Sequence, residues 1–99
     1  MTTNASYGLQ FLPSALKEWR KLDATIQSQF KKKLAERLAN PKVAQAALSG
    51  MSNCYKIKLR TIGYRLVYEV QDTVLLVTVV AVGKRDMGSV YALAKTRVI

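Results

Sequence analysis

The sequence contains no histidine and one cysteine, and these shortages remove several classes of catalytic site. Without histidine there is no Ser-His-Asp or Cys-His nucleophile arrangement and no imidazole for acid–base catalysis. The single cysteine, Cys54, has no partner for an intramolecular disulfide, which is typical of a reducing compartment. Only six carboxylates are present, and they are scattered, so we predict no metal site and no cofactor. Glu18 is interpreted as a surface charge.

Long apolar runs and glycine-rich loops are also missing. The longest apolar run, residues 74–82, falls far short of the ~20 residues that a membrane-spanning helix needs. No signal peptide is evident, so we expect a cytoplasmic protein with no membrane contact. The absence of a glycine-rich phosphate loop argues against nucleotide hydrolysis. We expect the 99 residues to form a single domain spanning residues 1–99.

Positive charge is what the sequence has in excess. Lysine and arginine number 16 against six acidic residues, which gives a formal net charge of +10. Small domains usually stay soluble with a net charge of about 2–8 in magnitude, so solubility alone does not account for this value. Such a charge favours binding to a polyanion, which would be a nucleic acid, an acidic protein or a membrane surface.

The N-terminal half reads as one strand followed by two helices. Residues 7–12 alternate loosely and predict a strand. Pro13 and Ser14 then begin a helix, with Ser14 as a candidate N-cap. Asp23 caps a second helix, which ends at Asn40-Pro41. Residues with helical spacing indicate the buried faces, and they are Leu12, Ala15, Leu16, Trp19, Leu22, Ile26, Phe30, Leu34 and Leu38.

The C-terminal half reads as three strands and a short helix. Residues 54–60 and 64–70 alternate, and residues 74–82 are apolar on both faces, as in a central strand. Residues 89–97 predict a last helix. The fold class that follows is α+β, a small antiparallel sheet of about four strands with two N-terminal helices packed on one face.

Five residues stand out as a candidate RNA-binding set. Lys56 and Lys58 lie two apart on one predicted strand, so their side chains project to the same face, about 6.6 Å apart. Arg65 joins them if residues 61–63 close a hairpin, and Arg85 and Tyr91 follow the central strand. Lysines on strands often serve only to protect a sheet edge, and that alternative stays open for each of them. As a set, they match a surface that contacts both phosphate and base.

RNA is the substrate that such a set suits, because it carries its own nucleophile. An enzyme then needs only to orient the 2′-hydroxyl, accept its proton, hold the phosphate and support the leaving 5′-oxygen. Arginine clamps phosphate with two hydrogen bonds, and a lysine among other cations has a depressed pKa that suits a base. With neither histidine nor carboxylate in the set, we expect poor activity on free RNA.

The segments ALKEWRKL, CYKIKLR, GYRLVYEV and VGKRD with the later VY resemble the RelE toxins of bacterial and archaeal toxin–antitoxin modules. The resemblance runs from about Phe11 to Tyr91. It implies a ribosome-dependent endonuclease that cleaves mRNA in the A site, against 16S ribosomal RNA, and leaves a 2′,3′-cyclic phosphate. It also implies a RelB-like antitoxin that wraps the toxin, displaces its last helix and binds operator DNA as a complex with it.

The resemblance assigns a role to each of the five residues. Lys56 and Lys58 are implicated in proton abstraction and charge stabilisation, and Arg65 in phosphate stabilisation. Arg85 would be the general acid or would stabilise the leaving group, and Tyr91 would stack on the substrate base.

Two positions depart from the family pattern. Met87 and Ser49 stand where basic residues are usual, and the change would weaken contacts with ribosomal RNA without abolishing the chemistry.

Two other functions remain open. The first is a gyrase-poisoning toxin of the related ParE type, acting by protein–protein interaction. Such proteins generally lack the lysine, arginine and tyrosine set, so its presence argues against this reading. The second is an RNA-binding module without activity, which would bind with a steep salt dependence and release no products.

Overall fold

A computed structural model describes residues 6–86 and 88–98 of the chain. Its elements, in chain order, are β1 (Gly8–Phe11), α1 (Pro13–Arg20), α2 (Ala24–Ala39), a single 3-10 turn (Ala44–Ala46), β2 (Cys54–Leu59), β3 (Tyr64–Gln71), β4 (Leu76–Lys84) and α3 (Ser89–Arg97). The fold is α+β, as predicted. None of the helices in the described ranges is both long enough and apolar enough to span a bilayer.

The helix starts correct one prediction. The N-cap of α1 is Leu12, with Pro13 in the first helical position, so Ser14 lies inside the helix. Proline suits this position because its fixed φ is already helical and its missing N–H would have no partner there. Asp23 does occupy the N-cap of α2, but its side chain makes no capping hydrogen bond.

The four strands form one sheet in the order β1-β4-β3-β2. The β2, β3 and β4 strands are antiparallel neighbours, as predicted. The sheet is nevertheless mixed, because β1 runs parallel to β4, from Gly8 beside Leu76 to Phe11 beside Val79. No turn links these two strands, so the local sequence around β1 does not determine its direction.

The sheet has a different cover on each face. On one face, α1 and α2 bury the predicted apolar stripes, and Trp19 and Phe30 both lie in this core. On the other face, α3 and the loop before β2 cover a smaller cluster: Met51, Cys54, Val67, Val80, Ala81, Val90 and Ala94. Because Cys54 belongs to this second face, Lys56 and Lys58 project on the same side of the sheet as α3.

Candidate nucleic-acid interface

The two lysines of β2 owe their direction to the apolar residues between them. Ile57 and Leu59 are buried against the α1/α2 core, and successive strand side chains point to opposite faces. Lys56 and Lys58 therefore project to the α3 face, where both are partly exposed. The predicted pairing of the two lysines on one face is confirmed by the strand geometry.

Lys58 and Arg65 lie directly opposite each other on β2 and β3. The carbonyl of Lys56 points away from β3, because it accepts a hydrogen bond from the Arg37 side chain on the outer edge of β2. By alternation, Lys58 and Arg65 are a non-hydrogen-bonded pair, the type in which Cα atoms approach to about 4.5 Å. Like charges in this position destabilise a sheet, and an anion bound between them would remove that penalty.

Arg65 is buried although it carries a full charge. Its side chain is 7% exposed, and its Nη1 donates to the carbonyl of Tyr64 at 3.0 Å. The two ion pairs found among residues 6–86 and 88–98 are Lys42–Asp72 and Glu18–Arg97, so neither neutralises Arg65. A buried guanidinium without a carboxylate is stabilised by any anion that reaches it, and phosphate matches its planar geometry.

The neighbouring cations lower the pKa of the Lys58 ammonium. The positive charge of Lys56 is the main cause that lowers the pKa of Lys58, with smaller contributions from desolvation and from Arg60 and Arg65. A lysine with a lowered pKa gives up its proton more readily near neutral pH. The neutral amine, which a lowered pKa favours, is the form of a lysine that can accept a proton.

Arg85 is placed beside the β2–β3 turn by the backbone. Its N–H donates to the carbonyl of Gly63 at 2.6 Å, and Gly63 has a φ of 70° that favours glycine. One residue earlier, Lys84 pairs with Tyr64 at the end of β4. The exposed Arg85 therefore leaves the sheet at the end where Lys58 and Arg65 lie.

Tyr91 lies on α3, the helix that packs on this same face. Its ring contacts the second apolar cluster, and its hydroxyl is buried without a hydrogen-bond partner. A buried polar group without a partner costs on the order of 1 kcal/mol or more, so the Tyr91 hydroxyl destabilises the packed position of its side chain. Lys56, Lys58, Arg65 and Tyr91 thus lie on the α3 side of the sheet, and the backbone of Arg85 leaves the sheet at the end where Lys58 and Arg65 lie.

Sequence analysis missed three residues that border the lysines. A cavity of about 300 Å³ at the outer edge of β2 is lined by Arg37, Val43, Gln45, Ala46, Lys56, Lys58 and Arg60. Arg37 reaches it from α2, where its Nη1 donates to the Lys56 carbonyl at 3.1 Å and to the Tyr68 hydroxyl at 2.9 Å. The two-residue spacing that pairs Lys56 with Lys58 also includes Arg60, although Arg60 was not singled out. No spacing signals Arg37 or Gln45, because only tertiary packing brings α2 and the loop to β2.

Other expectations concern single residues. Cys54 is buried, and burial is the main cause that raises the pKa of its thiol to about 11.

In the described part of the chain, no three His, Cys, Asp or Glu side chains come together as metal ligands would. Ser49 is exposed in the loop before β2. Met87 lies outside the described residues.

Comparison with known proteins identifies the family. The family model "ParE toxin of type II toxin-antitoxin system, parDE" matches residues 9–88. The chain is 51% identical over 94 residues to the "mRNA interferase toxin RelE" of Escherichia coli, which covers 95% of this chain and 99% of that protein.

Solved structures agree over the whole fold. A double arginine-to-alanine variant of E. coli toxin RelE in the free state superposes with a TM-score of 0.89 at 49% identity, covering 96% of this chain and 100% of that one. The same variant in complex with a peptide of the antitoxin RelB gives a TM-score of 0.80 with the same identity and coverage. Because sequence and fold both match nearly from end to end, the chain belongs to the RelE/ParE family of type II toxin–antitoxin toxins and is of the RelE type.

Proposed function

We propose that this toxin is a metal-independent endoribonuclease that cleaves mRNA in the ribosomal A site and thereby inhibits translation. The observation that carries the proposal is the pair formed by Lys58 and Arg65, two cations directly opposite each other on neighbouring strands, neither of which forms an ion pair with any described residue. The relative named an mRNA interferase, identical at half of the aligned positions, supports the same activity.

The chemistry is an attack within the RNA chain. The 2′-oxygen forms a bond to the adjacent phosphorus while the bond from phosphorus to the 5′-oxygen breaks, which leaves a 2′,3′-cyclic phosphate and a 5′-hydroxyl. Lys58 accepts the proton of the 2′-hydroxyl, because its pKa is lowered by its neighbours. Lys56 and Arg65 stabilise the negative charge that builds up on the phosphate oxygens.

Arg85 acts on the leaving oxygen by charge and not by proton transfer. A guanidinium keeps its protons at every pH that a protein tolerates, so it stabilises the developing oxyanion while solvent supplies the proton. Tyr91 stacks on the base and fixes the angle of attack, which matters because alignment of the reacting atoms supplies much of the rate.

The ribosome supplies what the site lacks. One lysine base and no dedicated acid make a weak acid–base apparatus, so most of the acceleration must come from holding mRNA in the reactive geometry. The net charge of +10 provides the attraction to 16S ribosomal RNA.

A cognate RelB-like antitoxin neutralises the toxin by binding it, and the pair represses its own operon. The similar toxin that was solved with a RelB peptide supports this partner. Operator DNA is contacted only through the antitoxin complex in this proposal.

The decisive experiment is to add the protein to a translating extract and map the 5′ ends of the mRNA fragments. We expect cuts within A-site codons, lost in Arg85→Ala and Tyr91→Ala. The exposed Lys95 on α3 provides a control, and Lys95→Ala should cut at the wild-type positions.

The matching family model bears the ParE name, which keeps gyrase inhibition as the second candidate. A supercoiling assay with purified gyrase distinguishes the two. Inhibited supercoiling together with intact mRNA would overturn the nuclease proposal.

A further inference from the structure

The cavity at the outer edge of β2 begins where the backbone pairing between β2 and the preceding loop ends. Ala47 forms an antiparallel bridge with Tyr55, and the N–H of Leu48 donates to the Cys54 carbonyl at 3.0 Å. Beyond Tyr55 the cavity opens between the loop, α2 and β2. Its walls are therefore fixed by secondary structure on three sides.

The cavity is strongly cationic. Its lining includes four cations and no carboxylate, the cations being Arg37, Lys56, Lys58 and Arg60. Gln45 adds an amide that can donate a further hydrogen bond. The lowered pKa of Lys58, to which Lys56 and Arg60 both contribute, reflects the same excess of positive charge.

Arg37 is held in place before any ligand arrives. Its Nη1 donates to the Lys56 carbonyl and to the Tyr68 hydroxyl, and its guanidinium lies 5.7 Å from the centre of the Tyr68 ring. Both hydrogen bonds use Nη1, so within residues 6–86 and 88–98 the N–H groups of Nε and Nη2 have no protein acceptor and can donate to a ligand. A fixed guanidinium loses little conformational entropy when it binds an anion.

We propose that this cavity is a second phosphate subsite, which binds the RNA phosphodiester next to the one that reacts. The inference rests on the proposed ribonuclease function. Lys56 and Lys58 line both the cavity and the face that holds the reacting linkage. An RNA strand that runs from this face into the cavity therefore stays in contact with positively charged side chains. Arg37, Gln45 and Arg60 become binding residues for the neighbouring nucleotide.

The test measures binding to a short RNA that cannot be cut. A fluorescent oligonucleotide carries a 2′-deoxy sugar at the nucleotide whose 2′-hydroxyl would attack. Two further versions carry an uncharged methylphosphonate at the linkage immediately 5′ or immediately 3′ of the one that would react. Affinities are measured by fluorescence anisotropy for the wild type, Arg60→Ala and the control Lys95→Ala. Arg60 is exposed after the end of β2, so its removal leaves the fold intact, which circular dichroism verifies.

We expect one of the two uncharged linkages to weaken binding to the wild type and to Lys95→Ala by about tenfold, the effect of losing a hydrogen bond to a charged group. Arg60→Ala should bind the fully charged RNA about tenfold more weakly than the wild type does. Replacing the same linkage should then reduce the affinity of Arg60→Ala by less than about a further twofold, because the two changes remove the same contact. Arg37→Lys, which keeps the charge but loses the planar fork, should fall between the two.

Equal losses in the wild type and Arg60→Ala, indifference to both uncharged linkages, or no binding at low salt would overturn the subsite. A short polyglutamate peptide provides the competing occupant, and if Arg60→Ala weakens only that peptide, the cavity binds an acidic protein segment instead. Cleavage on ribosomes is scored separately. If the expected pattern of RNA affinities is found but mRNA is not cleaved on ribosomes, the proposed function fails and the subsite stands. If mRNA is cleaved but the affinities do not follow the pattern, the subsite alone is rejected.

Discussion

Arg97 and Glu18, which lie 79 residues apart in the sequence, form a two-pronged ion pair that joins the end of α3 to α1. Nη1 meets Oε1 at 3.0 Å and Nη2 meets Oε2 at 2.8 Å. The same two side chains provide hydrogen-bond partners for the part of β4 that extends beyond β1. Glu18 accepts a hydrogen bond from the N–H of Val82, and Arg97 donates one to the carbonyl of Val80. The interpretation of Glu18 as a surface charge was therefore wrong.

This ion pair should contribute measurably to stability. We expect Arg97→Ala to lower the free energy of unfolding by about 2 kcal/mol, because it removes charged hydrogen bonds and leaves the partly buried Glu18 carboxylate without its partner. Urea denaturation measures the loss. Lys95→Ala, in the same turn but exposed, should change stability by less than about 0.5 kcal/mol. Equal effects of the two substitutions would contradict the role of the pair.

The lowered pKa of Lys58 predicts how cleavage depends on pH. The uncharged amine is the base, so below its pKa the single-turnover rate on ribosomes should rise about tenfold per pH unit. The rate should level off at a pH below the 10.5 of an ordinary lysine. Lys58→Arg should lose both the activity and this slope, whereas Lys31→Arg on α2 should keep both. A rate that does not depend on pH in the wild type would exclude Lys58 as the base.

Tyr91 offers a test that separates its ring from its hydroxyl. Tyr91→Phe removes a buried hydroxyl without a partner, so it should raise the free energy of unfolding by up to about 1 kcal/mol. It should also retain cleavage, because the ring still stacks on the base. Tyr91→Ala should lose cleavage. If Tyr91→Phe is as inactive as Tyr91→Ala, the hydroxyl and not the ring carries the function.

Cys54 should be inert in the folded protein. Its thiol pKa, raised from 9.0 to about 11 chiefly by burial, reduces the reactive thiolate about 100-fold at mildly alkaline pH. Alkylation by iodoacetamide at pH 8 should therefore be at least ~100-fold slower in buffer than in urea. Rapid labelling of the native protein would show that the region around the start of β2 opens readily.

Asp72 predicts an acid-sensitive contact between three segments. Hydrogen bonds from Lys42 and then from Tyr7 lower the pKa of the Asp72 carboxyl from its ordinary 3.8. Because the folded pKa is the lower one, the stabilisation is complete above pH 3.8 and disappears as pH falls through the folded value. Asp72→Asn should remove this part of the acid dependence in thermal melts. Asp86→Asn, a change at another exposed aspartate, should leave it in place.

Local patterns predicted most elements of the fold. The apolar spacing from Leu12 to Leu38 identified two helices, because apolar residues that recur about every 3.6 positions fall on one face of a helix, and that face is the one buried in the core. Alternation identified β2 and β3 and put Lys56 and Lys58 on one face, since successive side chains of a regular strand point to opposite faces. The direction of β1 was missed, because its pairing with β4 depends on how the intervening helices return the chain.

For the candidate site, the sequence by itself determined which chemistry is available: no histidine, a large excess of cations, and a lysine pair with a fixed two-residue spacing. Only the tertiary structure decided which cations face one another. It placed Lys58 opposite Arg65, brought Arg37 from α2 to the edge of β2, and joined Glu18 to Arg97 across the fold. The physical reason is that charge and periodicity are properties of neighbours in the chain, whereas electrostatic crowding and burial depend on contacts between distant segments.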